Sequence, residues 1–330
     1  MFQTSRRSTM ATTLTAVTAP ASRVGRAAWP RWAGTWAAMP QPTEPGDMPP
    51  PRFTWDGLVL ADTTLRQTVR VSVGGDRLRL RFSNAFSGAP LSLTAMAVAL
   101  PEGDRAGAAS VRPGAVRAVT FHGRGSAVVP VGAHVVSDPV DLPLASRANL
   151  TVTTYLAPGR ASGEITSHPG SRTTSHLPAD DHVTVPDLPG ATPTDHWYFL
   201  SGVEVEAASG TVAVVVLGDS LTDGRGSTTN GNDWWPDLLQ DRLPAGVAVL
   251  NQGAGGNRVL NDGKGPNALA RLDRDVPAQS EVAWLVVFEG VNDPAGHRES
   301  ARRAVNDRVR ASGRFDAVVD FDAAARRRVR

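Results

Sequence analysis

Cysteine is absent from the 330 residues, which excludes disulfides, thiol catalysis and zinc sites built on thiolates. Its absence does not fix a compartment. No segment reaches the roughly 20 apolar residues of a membrane-spanning helix. An excess of charge is also missing: 34 Lys and Arg against 32 Asp and Glu give a formal net charge of +2. Such balance leaves no large field to attract nucleic acid, and none is expected as a partner. The basic residue is almost always Arg, with Lys264 a rare lysine. The Arg cluster between Arg298 and Arg330 reads as a solvated helix face and tail. Histidines with metal-ligand spacing are lacking as well, so neither a metal nor a cofactor is expected. His122, His134, His168, His176, His182 and His196 lie scattered between residues 120 and 200. His168 and His176 fall in a Ser/Thr/Gly-rich loop and could reach a cleft, although histidines of surface loops are usually idle.

What is present divides into two grammars, and the length suits about two domains. Residues 55–206 read as all-β, with strand candidates at 65–73, 77–82, 91–99, 116–121, 150–155 and 197–205. Gly, Pro, Asn and Asp punctuate the gaps at a spacing typical of sandwiches. Arg77-Leu78-Arg79-Leu80-Arg81-Phe82 alternates cleanly, which puts the leucines and Phe82 on a core face and the arginines in solvent. No helical pattern of useful length interrupts this half, and a jelly-roll-like β-sandwich is expected. From about Thr211 strands and helices alternate. Trp235-Pro236-Asp237 reads as a helix start with an early proline, and residues 267–275 as another short helix. This pattern predicts a parallel sheet with flavodoxin-like winding. The expected organisation is a leader or disordered tail over 1–27, a β-sandwich over 28–208 and an α/β domain over 209–330. Arg6, Arg7, the Thr/Ala-rich stretch 10–19 and Ala19-Pro20-Ala21 have the layout of a secretory signal with a polar middle. The expected location is extracellular, and cytoplasmic if that stretch is only a tail.

Three strand candidates of the second half end in polar, Gly-containing loops. Residues 211–217 form an apolar β-branched run, the mark of a buried parallel strand, and lead into Gly218-Asp219-Ser220-Leu221. Residues 247–250 lead into Asn251-Gln252-Gly253-Ala254-Gly255-Gly256-Asn257-Arg258. Residues 282–288 lead into Glu289-Gly290-Val291-Asn292-Asp293. Open α/β sheets bind ligands at the carboxyl ends of their strands, so the three loops should converge on one edge. Gly218 is expected to allow a sharp turn there. Rival motifs fail: Arg258 stands where a dinucleotide fingerprint needs glycine, and Gly263-Lys264-Gly265 lacks the Ser/Thr of a phosphate loop. No Gly-x-Ser-x-Gly elbow surrounds Ser220.

This ordered trio resembles the blocks of the SGNH (GDSL-type) hydrolases, which supply Ser, Gly, Asn and His in turn. The resemblance implies that Ser220 is the nucleophile and its N–H one oxyanion donor. Gly256, with Gly255 as runner-up, would give a second N–H, and Asn292 a side-chain donor. Asp219 and Asp293 are expected to shape their loops, a commoner use of Asp in turns than catalysis. Trp32-Ala33-Gly34-Thr35-Trp36, Thr64-Leu65-Arg66-Gln67 and Arg81-Phe82-Ser83-Asn84 are similar to the N-terminal domain of multidomain SGNH esterases acting on cell-wall polysaccharides or lipids. A small-molecule ester or an acetylated polysaccharide is the implied substrate.

The family closes with an Asp-x-x-His block that deprotonates the serine, and no such block follows Asp293. Relative to the family the chain reads as internally deleted after Pro294 and truncated at its C-terminus, hence as an impaired esterase. His297, four residues after Asp293, is the one candidate replacement base. Asp316-Ala317-Val318-Val319-Asp320-Phe321-Asp322 resembles the family's last strand, and residues 317–320 are expected beside strand 282–288. The alternative to an esterase is a non-catalytic protein that keeps the β-sandwich for carbohydrate binding.

Overall fold

A computed structural model describes residues 31–55, 57–293, 298–311 and 313. The first half is built around two large antiparallel sheets, with three smaller ones beside them. In one, the strands run Trp32–Ala37, Leu200–Glu206, Gly75–Ser83, His134–Val136, with Val140–Leu144 also paired to Gly75–Ser83. The other runs Thr192–Thr194, Ser175–Leu177, Thr63–Arg70, Asn149–Leu156, Ala95–Ala99, Arg117–Ala118. Leu78, Leu80 and Phe82 of the first sheet share one core with Leu65, Val69, Val98, Leu150 and Val152 of the second.

Several strands differ from the expectation for identifiable reasons. The run 91–99 breaks at Thr94 because its two parts serve different partners. Leu91–Leu93 pairs with Ala127–Val129, and Ala95–Ala99 pairs with Asn149–Leu156. The run 197–205 breaks at Phe199, whose φ of 62° is left-handed. Trp197–Tyr198 therefore pairs with Thr166–His168, while Leu200–Glu206 joins the first sheet. Of 116–121 only Arg117–Ala118 is a strand. The alternation at 77–82 places Leu78, Leu80 and Phe82 in the core as expected, but its arginines are not in free solvent. Arg77 pairs with Asp141 and Glu206, and Arg79 with Glu204, whose carboxylate is only 2% exposed. A buried carboxylate needs such a partner, so the polar face of this strand is a charged layer rather than a hydrated one.

The second half holds a three-stranded parallel sheet with Val212–Gly218 between Val247–Gly253 and Val282–Phe288. Pro236 lies in the first turn of helix Trp235–Gln240. Helix Ala268–Asp275 is capped by Asn267, whose side-chain oxygen accepts the Ala270 N–H, satisfying one of the otherwise unpaired N–H groups of a helix start. Helix Arg298–Ala311 follows the third strand. The pairing expected for residues 317–320 lies outside the described residues.

The core continues across residues 207–210, since Leu217 and Leu250 belong to the same cluster as Leu78 and Leu80. Gly34 explains how closely the halves pack. A Cβ there would sit 2.7 Å from Leu250 Cδ1. Ser72 Oγ donates to Val249 O at 2.8 Å, and the Arg81 guanidinium donates to Ala278 O at 3.2 Å. Strand Val247–Gly253 and the segment leading into Val282–Phe288 are thus braced by the first half.

Candidate active site

Parallel register fixes where the three loops begin. Gly218 lies opposite Gly253 on one side and Phe288 on the other, so all three strands stop at one edge. Gly218 itself ends the strand and does not make the sharp turn expected of it. Glycine is needed there for space, because a Cβ would lie 2.6 Å from Phe288 O. The chain then turns through residues 219–225. Thr222 N and Asp223 N donate to Asp219 O at 3.0 and 2.9 Å, and Arg225 N donates to Ser220 O at 2.8 Å. Ser220 is half-buried on this turn.

The loops are tied to one another. Buried Asp219 accepts Leu221 N at 3.0 Å and, from the third loop, Val291 N at 3.3 Å. Buried Asp293 accepts Val259 N at 3.1 Å, joining the third loop to the second. Asn251 donates through Nδ2 to Thr222 O at 2.9 Å, joining the second to the first. Gly256 has a φ of 71°, a left-handed conformation that glycine adopts without strain. Asn292 is half-buried, and its Nδ2 donates to Asn257 O at 2.9 Å. Ser220, Gly256 and Asn292 therefore sit on three loops at the same sheet edge, in direct loop-to-loop contact. His297 lies outside the described residues.

Two groups at this edge escaped the sequence reading. Arg271 has a side chain with no exposed surface, although it belongs to a short helix with Asp275 at i+4, which in sequence resembles an ordinary surface pair. Its guanidinium donates to Gly218 O at 3.0 Å, Gln252 O at 2.8 Å, Asn257 Oδ1 at 2.9 Å and Asp275 Oδ2 at 3.1 Å. One cation thereby satisfies the carbonyls at the ends of two strands and orders the second loop. Glu289 begins the third loop with a carboxylate 2% exposed and 3.9 Å from Arg271. Burial, reinforced by the negative charge of Asp219, pushes its carboxyl up to about 8.

The histidines also correct the sequence reading. His168 is buried rather than in a surface loop, on the short strand Thr166–His168. Its Nδ1 donates to Met39 O at 3.0 Å and its Nε2 lies 2.7 Å from Asp223 Oδ1. Both ring nitrogens are engaged, so it has no free nitrogen with which to take a proton from Ser220. Burial alone would favour the neutral ring, but the Asp223 charge and hydrogen bond outweigh it and hold the pKa above the ordinary histidine value. His176 Nε2 contacts Gly107 O, and His196 Nδ1 contacts Pro169 O. Among the described residues no cluster of His, Asp or Glu could hold a metal ion.

Residues 216–329 match the model of the GDSL-like Lipase/Acylhydrolase family. No curated protein matches the chain. Among solved structures, an active-site mutant of a family two carbohydrate esterase from Clostridium thermocellum is 10% identical, with 77% of this chain and 68% of that one covered at a TM-score of 0.27. A family two carbohydrate esterase from Cellvibrio japonicus is 12% identical, with 84% and 73% covered at a TM-score of 0.26. Another solved structure is 22% identical over 31% of this chain, which spans 56% of that structure's length, at a TM-score of 0.28. The stretch from residue 216 onward, with its Ser, Gly and Asn loops on one sheet edge, thus bears out the resemblance to the SGNH (GDSL-type) hydrolases.

Proposed function

We propose that the chain is a serine ester hydrolase of SGNH type, acting on a carbohydrate acetyl ester or a lysophospholipid-like ester. In this reading a β-sandwich domain (28–208), jelly-roll-like, precedes a hydrolase domain (209–330) with flavodoxin-like winding. The observation that carries the reading is the edge itself: strands ending at Gly218, Gly253 and Phe288 feed three interlocked loops, with Ser220 half-buried on the central one. Ser220 Oγ attacks the ester carbonyl carbon, a C–O bond forms, and the carbonyl oxygen becomes an oxyanion. The N–H groups of Ser220 and Gly256 and the Asn292 amide donate to it, each such donor contributing about 2.7–4 kcal/mol in acyl transfer. The alcohol then leaves and water releases the acid.

The proton on Ser220 Oγ needs an acceptor. Asp-x-x-His does not occur after Asp293 in these residues, and His168 is committed at both nitrogens. His297, four residues after Asp293 in the sequence, is the remaining candidate. A protein of these 330 residues is accordingly expected to be a weak esterase, at the roughly 10³–10⁴-fold level over water that an oxyanion hole and binding sustain without a triad member. The second reading is a non-catalytic carbohydrate-binding protein. It is favoured by an open concavity of about 320 Å³ in the first half, lined in part by Met96, Val119, Thr120, Asp181 and Val183. Acetyl-ester hydrolysis by the wild type, Ser220→Ala and His297→Ala tests the reading. Slow turnover lost in Ser220→Ala and kept in His297→Ala supports the impaired hydrolase. Fast turnover lost equally in both makes His297 the base, and no Ser220-dependent turnover favours the binding protein.

A further inference from the structure

The segment after strand Thr166–His168 lies directly on the turn that carries Ser220. Asp223, 3% exposed, ends one helical turn begun by Asp219 and meets His168 at 2.7 Å. His168 is held from behind by Met39 O and stacks on Trp197 with ring centroids 5.7 Å apart. Gly170 passes so close over the Asp223 carboxylate that a Cβ would lie 2.0 Å from Oδ2. Farther along, Arg172 Nε donates to Gly224 O at 3.2 Å, Asn230 N to Arg172 O at 2.8 Å, and Thr174 N to Asn230 Oδ1 at 2.8 Å. Residues 168–174 of the first half are thus stitched along 223–230 of the second. The turn cannot withdraw from the other side either, since a Cβ on Gly253 would lie 2.5 Å from Asp223 N.

We infer that His168 is a positioning residue of the hydrolase site: with Asp223 it pins the 219–225 turn, so the β-rich half is part of the Ser220 machinery rather than a detachable binding module. The inference rests on Ser220 being the nucleophile. Its physical basis is a close ion pair shielded from solvent, where electrostatic attraction is strong and where loss of one partner strands the other. The charged groups acting on the imidazole are Asp223 on the turn and Arg271 on helix Ala268–Asp275, the latter opposing its protonation. From the adjoining strand Trp197–Tyr198, the Tyr198 hydroxyl donates elsewhere, to Asp47 O. Gln41 of the other adjoining strand is uncharged, and its Nε2 donates to Lys264 O.

Hydrogen exchange on the full chain, read at the amides of Thr222, Asp223 and Arg225, tests the pin without recourse to catalysis. In His168→Gln and in Asp223→Asn these amides should exchange about tenfold or more faster than in the wild type, while strands Thr63–Arg70 and Asn149–Leu156 stay protected. Phosphonate labelling of Ser220 should slow by about 10²-fold in the same variants, as expected for a displaced reacting group. In the wild type, labelling and the protection factors of these amides, that is exchange relative to its intrinsic rate at each pH, should both fall as the pH climbs through the His168 titration, and both variants should lose that dependence. Unchanged exchange at the turn in both variants overturns the inference. If neither variant folds, nitrogen NMR of the wild-type imidazole decides: both nitrogens protonated at pH 7 support the pin, and a neutral ring overturns it. Absence of Ser220 labelling in the wild type would instead defeat the hydrolase reading while the exchange result still judged the pin.

Discussion

Glu289 carries its carboxyl group into a place where ionisation is costly, shielded from water and facing Asp219, with Arg271 offering only partial relief. The sign of the consequence follows. Its folded value, about 8, lies above the ordinary 4.5, so the native state holds a proton that the unfolded chain has already released. Stability should therefore fall as the pH rises from about 4.5 to 8, by at most about 1.4 kcal/mol per pH unit from this group. Glu289→Gln should match the wild type near pH 4 and exceed it at pH 8 in denaturant unfolding; parallel pH profiles would contradict this. Arg271 predicts the opposite kind of result. Arg271→Met removes the buried guanidinium that donates to Gly218 O, Gln252 O and Asn257 Oδ1, while Asp275 keeps Arg274, and should cost about 3–5 kcal/mol in the same measurement. The loops that carry Ser220, Gly256 and Asn292 could be placed at one sheet edge from sequence because each follows an apolar strand in a short local pattern. Arg271, Glu289 and His168 could not, because their roles lie in contacts with chain 18 to 129 residues away.

At the scale of elements, the parallel strands and the helix Trp235–Gln240 were legible because β-branched runs and an early proline are local signals. The breaks at Thr94 and Phe199 were not, since they arise where one run changes partners between sheets. The meeting of the 219–225 turn with strand Val247–Gly253 is another non-local feature, and it depends on glycine. Gly253→Ala would place a Cβ 2.5 Å from Asp223 N and 2.7 Å from Thr222 C, both backbone atoms. The turn must then move, at a cost of about 1–3 kcal/mol. Thermal unfolding should show this loss together with faster exchange at residues 219–225. Wild-type stability in this variant would contradict the close packing.

At the scale of the molecule, the two grammars of the sequence suggested two domains, and among the described residues the two halves share one hydrophobic core. Arg79, Glu204 and Ser280 make a chain of contacts from the first half into the second, and Gly34 lets strand Trp32–Ala37 lie against Leu250. Composition shifts mark a change in topology and carry no information about how much surface two halves bury on each other. Denaturant unfolding should accordingly be a single transition, with tryptophan fluorescence and far-ultraviolet circular dichroism coincident; two separated transitions would contradict a shared core. The central claim is that this unit delivers Ser220 to an oxyanion site. Its most direct test is treatment of the folded protein with a fluorophosphonate, followed by peptide mass mapping. The account predicts a single adduct on Ser220, absent in Ser220→Ala and formed about 10²–10³-fold more slowly in Asn292→Ala. A folded protein that gains no adduct at Ser220, or one that labels equally after Asn292→Ala, would contradict it.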